Sequence, residues 1–289
     1  MSFKTTARRY YYLTKPGIIY GNCMSAAAGF LLAAQGNIEW LLFAALLVGM
    51  ALVIASGCVV NNYIDRGIDS KMDRTHKRAL VTGRISGREA LLYAGILCVT
   101  GFTILIAYTN WLTAVAGLIG LVFYVVVYGI AKRLTVWGTV IGSISGAVPI
   151  TAGYLAVSDE LDTGALLLFL IMACWQMPHF YAIAMYRLDD YKAAGIPVLP
   201  AVRGIRHAKL KIMAYVVGFA AACTALTLTG YTGVIFLTVM LSISAVWFWK
   251  GYIGYKTNTD FAWAKRMFHF SLIVLLVFSF LLSFDWLLP

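Results

Sequence analysis

Apolar residues in this chain come in long unbroken runs separated by short polar gaps, without the two-residue alternation of a half-buried strand. Nine runs stand out, at roughly 17–34, 40–60, 90–108, 111–130, 136–157, 164–186, 212–229, 231–249 and 267–288. Each approaches the ~20 residues a helix needs to cross the hydrocarbon layer. Lipid leaves helices and closed barrels as the spanning structures, and unalternating runs point to helices. The pattern predicts an all-α polytopic membrane bundle of nine transmembrane helices, one domain over 1–289. The first run follows basic residues as a signal peptide would, but no soluble domain comes after it, so it reads as a first span. Two gaps, about 61–89 and 187–211, are polar enough to carry chemistry.

Composition agrees: 61% of the 289 residues are apolar and 12% charged, against roughly a quarter charged in soluble chains. That excludes a soluble globule, a disordered chain and a nucleic-acid-binding domain. The net charge of +11 then needs a reason inside a membrane protein. All 23 Lys and Arg fall in the N-terminal segment or in the gaps after spans 2, 4, 6 and 8. The other gaps and the C-terminal end carry Glu39, Asp159, Glu160, Asp162 and Asp285 instead. The positive-inside rule therefore predicts a cytoplasmic N-terminus and an outside C-terminus. Trp40, Trp111, Trp137 and Trp286 stand at span ends, as interfacial anchors do. The five cysteines lie in apolar runs without CxxC spacing and read as small packing residues. Glycines beside Ala and Ser within spans suit close helix packing.

The informative residues are acids on the basic side. If the second helix continues past residue 60, Asn61, Asp65 and Asp69 recur every four residues and form a column on one face. Asp73 falls about 120° from Asn61, off the face of that column. Stacked carboxylates repel, and a divalent cation relieves them; Mg²⁺ takes few carboxylates and leaves positions for water and phosphate oxygens. Arg74, Lys77 and Arg78 follow as anion ligands. Asp189 and Asp190 repeat the acidic pattern at the end of span 6, and Tyr128, Lys132 and Arg133 put a basic patch at the end of span 4. Two Asp clusters meeting on one face would clamp a diphosphate through two metals; solvated loops that only set topology are the alternative.

Asn61-x3-Asp65-x3-Asp69, with Asp189 and Asp190 downstream and Tyr128-x3-Lys132 between, resembles the UbiA-type intramembrane prenyltransferases. The blocks Thr14-Lys15-Pro16-Gly17, Ser56 to Arg66, Trp175-Gln176-Met177-Pro178-His179-Phe180 and Asp190 to Pro200 narrow the resemblance to the heme O synthase (protoheme IX farnesyltransferase) branch. The likeness runs from Tyr12 to the last span. Many relatives that act on aromatic substrates carry Asp where this chain has Asn62, and heme-branch members often carry an acid at the Gly67 position. Asp65 and Asp69 are left as the carriers of the first motif.

The resemblance implies farnesyl transfer from farnesyl diphosphate to a vinyl group of heme B, giving heme O, in a bacterial-type inner membrane with the site facing the cytoplasm. It implies Mg²⁺ on Asp65, Asp69 and Asp189 or Asp190, with Asn61 alongside. Arg74, Lys77, Arg78, Tyr128, Lys132 and Arg133 would hold the diphosphate. The bundle interior would take the farnesyl chain and the porphyrin, opening to the lipid bilayer. Partners would be a downstream heme-modifying enzyme or a terminal oxidase. His179, inside span 6, reads as a heme-iron ligand or a base near the vinyl, or else as a group hydrogen-bonded within the bundle. Two other readings stand beside this: a transferase of the same type acting on an aromatic quinone precursor, and a secondary transporter. The acids sit at span ends rather than midplane, which disfavours the transporter.

Overall fold

The structure, a computed structural model, describes residues 3–257 and 259–288. Among them are nine helices long and apolar enough to cross a membrane. In chain order the helices are α1 (Phe3–Leu13), α2 (Pro16–Ala34), α3 (Trp40–Asp69), α4 (Gly87–Tyr108), α5 (Trp111–Val122), α6 (Tyr128–Leu134), α7 (Gly138–Ser158) and α8 (Thr163–Tyr186). Two short helices, α9 (Leu188–Ala193) and α10 (Leu199–Val202), precede α11 (Ile205–Leu228), α12 (Val234–Tyr255) and α13 (Asp260–Phe284). Each predicted run has its spanning helix, with ends that differ by several residues, and 111–130 is a helix with an internal π-helical turn at Phe123–Val127.

Several helices outrun their apolar segments. α3 continues through Asp69, so residues 61–69 are helix, and α11 starts at Ile205. The apolar run marks the part that lipid must solvate, whereas the helix goes on wherever its polar side chains find partners. Lys209, in the extension of α11, donates to the Gly254 and Thr257 carbonyls and pairs with Asp260. That one ammonium ties α11, α12 and α13 together.

Burial separates inner from outer helices. Within its span α7 is 61% buried and α3 and α8 are 56% buried, whereas α4 is 22% buried. The main packing partners are α3 with α4, α2 with α7, and α8 with α7, α11 and α13. Leu92, Ile96, Val99 and Ile106 of α4 turn outward to lipid. Phe219, Phe236, Trp247 and Phe278 fill the core between α11, α12 and α13. The five cysteines are free, as packing residues should be.

The end away from the acidic motifs is latched by side chains that cap helices. Asn110 accepts from Thr113 N at the start of α5 and donates to Leu155 O at 2.6 Å. Asp162 caps α8 at Ala165 N and accepts from both Tyr154 and Tyr231 hydroxyls. Asp285 accepts from Gly233 N. With lipid unable to serve these groups, Asp162 and Asp285 each close a loop there.

The α2–α7 seam depends on two glycines facing each other's backbone. A β-carbon at Gly153 would overlap the Ala26 carbonyl, and one at Gly29 would overlap the Ile150 carbonyl. Gly153→Ala should therefore destabilise the detergent-solubilised protein by about 1–3 kcal/mol, the usual cost of overpacking. Gly95→Ala, where a β-carbon meets open space, should leave the thermal midpoint unchanged or slightly raised. Equal midpoints for the two variants would refute the seam.

Candidate active site

The column expected on α3 exists, and each of its members is buried: Asn61 is 5% exposed, Asp65 9% and Asp69 3%. Such burial is tolerable for carboxylates only with partners. α6 supplies them for Asp65: Lys132 Nζ reaches Oδ2 at 2.5 Å and Arg133 reaches Oδ1 at 3.0 Å. The same Lys132 ammonium donates to Asn61 Oδ1 at 2.7 Å. Asp69 is served from its own following segment, by Arg78 at 2.5 Å. The helical path explains the split, since each four-residue step turns the column by about 40°. Asn61 and Asp65 face α6, and Asp69 faces the loop.

The π-helical turn places the basic partners. Tyr128 N bonds to Phe123 O, one residue longer than an α-turn, and such single turns are frequent at functional sites. Tyr124 within the turn and Tyr128 just after it stack with centroids 6.0 Å apart, and Lys132 Nζ lies 5.1 Å from the Tyr128 ring. Spacing in sequence gave no sign of this turn.

The second acidic segment meets the first through one contact: Asp190 Oδ1 accepts from Asp73 N at 3.2 Å, with Arg187 3.9 Å away on the other oxygen. Tyr191, beside it, lies near Arg74, which also faces Tyr128. Burial pushes the Tyr191 phenol up. The 70–78 loop thus packs between the two motifs. Asp189, Arg74 and Lys77 are exposed. Among the described residues no three His, Cys, Asp or Glu side chains stand close enough to hold a metal together.

His179 is elsewhere, at the α8–α13 seam. Its ring lies between Trp175 at 5.1 Å and Phe268 at 4.8 Å, and Nδ1 is 2.8 Å from Ser271 Oγ. Ser271 Oγ already donates to Phe268 O at 2.6 Å. It therefore accepts from Nδ1–H, which leaves Nε2 with its lone pair. His269 only bonds back to Lys265 O along its own helix.

Three participants escaped sequence reasoning. Asn62, 3% exposed, donates to Leu13 O at 2.8 Å and accepts from Arg78 at 3.1 Å. It therefore joins the α1–α2 corner to the Asp69–Arg78 pair. Lys15, in that corner, takes φ 55° and ψ 65°. The left-handed region costs a side-chain-bearing residue about 1–2 kcal/mol, and a residue before proline is normally extended. Its ammonium lies in electrostatic reach of Asp65, Lys132, Arg78 and Cys58, and burial lowers it to about 8. Tyr191 is the third. The one signal available for Lys15 was its place in the Thr14–Gly17 block, which marked resemblance and no role.

The family model "UbiA prenyltransferase family" matches residues 22–273, so the chain belongs to the UbiA prenyltransferase family, whose members are enzymes rather than transporters. Within that family it is 50% identical to a protoheme IX farnesyltransferase of Sodalis glossinidius over 284 residues, 98% of this chain and 96% of the relative. It is also 50% identical to protoheme IX farnesyltransferase 2 of Chromobacterium violaceum, covering 96% of this chain and 93% of that one. Its fold is that of a digeranylgeranylglyceryl phosphate synthase (TM-score 0.80, 17% identity, 97% of this chain and 98% of the other). It matches likewise a UbiA homologue of Archaeoglobus fulgidus solved with GPP and Mg²⁺ (TM-score 0.71, 17% identity, 95% of this chain and 99% of the other).

The Asn62 bridge has a measurable consequence. Asn62→Asp keeps an acceptor for Arg78 but removes the donor to Leu13 O, a loss of about 1 kcal/mol. Backbone amides of residues 14, 15 and 17–19 should then exchange faster with deuterium, while those in the core of α7 do not change. Unaltered exchange over 14–19 would show that something other than Asn62 holds the corner.

Proposed function

We propose that this chain transfers the farnesyl group of farnesyl diphosphate to a vinyl group of heme B, giving heme O. The observation that carries this reading is near full-length identity of 48–50% to proteins named protoheme IX farnesyltransferase, together with a paired acid–base array at the ends of α3 and α6. The basic residues gathered at that end support a cytoplasmic site in an inner membrane, with the N-terminus inside.

In the reaction the allylic C–O bond breaks, and its electron pair leaves with the diphosphate. The vinyl π electrons form the new C–C bond to the farnesyl carbon. Water adds to the resulting cation next to the porphyrin, and a proton is released. Lys132, Arg133, Arg78 and Arg74 stabilise the charge that develops on the departing diphosphate, where exclusion of water makes fixed charges worth most. Asn61 and Asp65 orient Lys132 for this role. Tyr128, whose ring lies 5.1 Å from the ammonium, screens it from bulk water.

The donors Asn61, Asp65, Asp69, Asp189 and Asp190 are hard oxygen ligands of the type Mg²⁺ takes. Lys132 Nζ, held between Asn61 Oδ1 and Asp65 Oδ2, supports the fit, since those two oxygens already share one cation. Mg²⁺, when bound, neutralises the diphosphate as a Lewis acid. Farnesyl diphosphate, heme B and the bilayer are then the partners, with a heme-modifying enzyme or terminal oxidase consuming the product. His179 offers Nε2 to heme iron or to the released proton.

Purified protein with Mg²⁺, farnesyl diphosphate and heme B should yield a more hydrophobic heme on chromatography. Asp65→Ala or added chelator should lower the rate by about 100-fold or more, the scale of a lost electrostatic stabiliser. Prenylation of 4-hydroxybenzoate with heme left unchanged would move the chain to the aromatic acceptors.

For His179, heme B added to the unreacted protein should show a Soret band that shifts in His179→Ala and returns with added imidazole. An unshifted band would remove Nε2 from the iron.

A further inference from the structure

Lys15 is the cation whose position in the fold is hardest to explain by packing. It lies in the two-residue corner between α1 and Pro16 of α2, with φ 55°. Nothing in the sequence relaxes that conformation, because Lys has a β-carbon and proline follows. The corner is also held in place: Asn62 grips Leu13 O, Thr14 Oγ1 donates to Tyr11 O, and Ile18 N bonds to Lys15 O. A strained residue kept by its surroundings points to a use for its side chain.

Asn62 follows Asn61 on α3, holds Leu13 O of this corner and accepts from Arg78, so the corner abuts the acid–base array. The charged neighbours of Lys15 are Asp65, Arg78 and Lys132, contributed by α3, the following loop and α6. The array has already shared out its counter-charges. Asp65 takes Lys132 and Arg133, and Asp69 takes Arg78. Among the described residues Lys15 makes no ion pair and its ammonium no hydrogen bond, so it is the partly buried cation there without an anion of its own.

We infer that Lys15 is a further catalytic residue, its ammonium binding the diphosphate of the prenyl donor from the α1–α2 side, opposite Lys132 and Arg133. This rests on the proposed reading of the site as a prenyl diphosphate site. It makes the corner a third wall of that site, beside the two acidic motifs and the basic end of α6. Held between three walls, the diphosphate meets positive charge on every side as the C–O bond breaks.

Lys15→Gly separates function from structure, since glycine accepts φ 55° without strain. The variant should be as stable to heat as the wild type, or more so. It should bind the unreactive analogue farnesyl thiodiphosphate, with Mg²⁺, at least about tenfold more weakly, the scale of one lost charge-assisted bond. With farnesyl diphosphate and heme B the loss should appear in KM for the diphosphate and in kcat, with KM for heme unchanged. Lys15→Arg should recover part of the analogue affinity. Wild-type affinity in Lys15→Gly overturns the inference and leaves the proposed reaction standing. A loss confined to heme binding also overturns it, assigning the ammonium to a heme propionate. A wild-type protein that ignores the analogue removes the proposed reaction and this inference together.

Discussion

The buried ammonium of Lys132 is the joint on which the site is built. It lies between Asn61 and Asp65 of α3 while belonging to α6, and α6 packs mainly on α7 rather than on α3. A polar contact therefore ties the basic end of that span to α3. Breaking such a pair leaves a buried charge uncompensated, whereas replacing the whole pair by apolar groups is often neutral. Stability alone would thus be met by leucines. What leucines lack is a set of charges held ready at a membrane boundary.

The two ends of the bundle use acids in opposite ways. Asp162 spends its oxygens on a helix cap and two phenols, and Asp285 on a backbone amide. Those carboxylates are closed and serve the turns. At the other end Asp65 and Asp69 are met by mobile-headed Lys and Arg side chains, and Asp189 is exposed. Long basic side chains can change partner without moving a helix, and capped carboxylates cannot. The capacity for chemistry therefore sits at one end although acids occur at both.

The nine spans were legible because lipid imposes a length and an apolar content on each helix, and every run met both. The Asn61–Asp65–Asp69 column was legible because helical geometry needs only spacing. The partner of each acid was not, since Lys132 and Arg133 lie about seventy residues away and the π-helical turn that aims them depends on packing rather than composition. Asn62 looked like a marker of kinship because its two hydrogen bonds go to chain segments on either side of it in sequence. His179 was visible as an ionisable group within a span, but its tautomer follows from Ser271, ninety-two residues on. Lys15 was hidden for a different reason: proline after it suggests extended backbone, and the corner overrides that preference.

Charge balance joins these pieces. In the ion pairs at this end Arg78, Lys132, Arg133 and Arg187 meet Asp65, Asp69 and Asp190, so the paired cations exceed the acids by one. Near balance is what allows so many charges to stay at the edge of a low-dielectric bundle, where an unmatched charge is costly. A diphosphate carries more than one negative charge, and the single surplus cation does not neutralise it. A site balanced when empty is therefore overdrawn when filled, and a divalent cation arriving with the substrate closes the gap. The acids that make the empty site tolerable to its cations are also the ligands such an ion would use, which is the electrostatic reason the proposed chemistry calls for Mg²⁺ and not for more arginine.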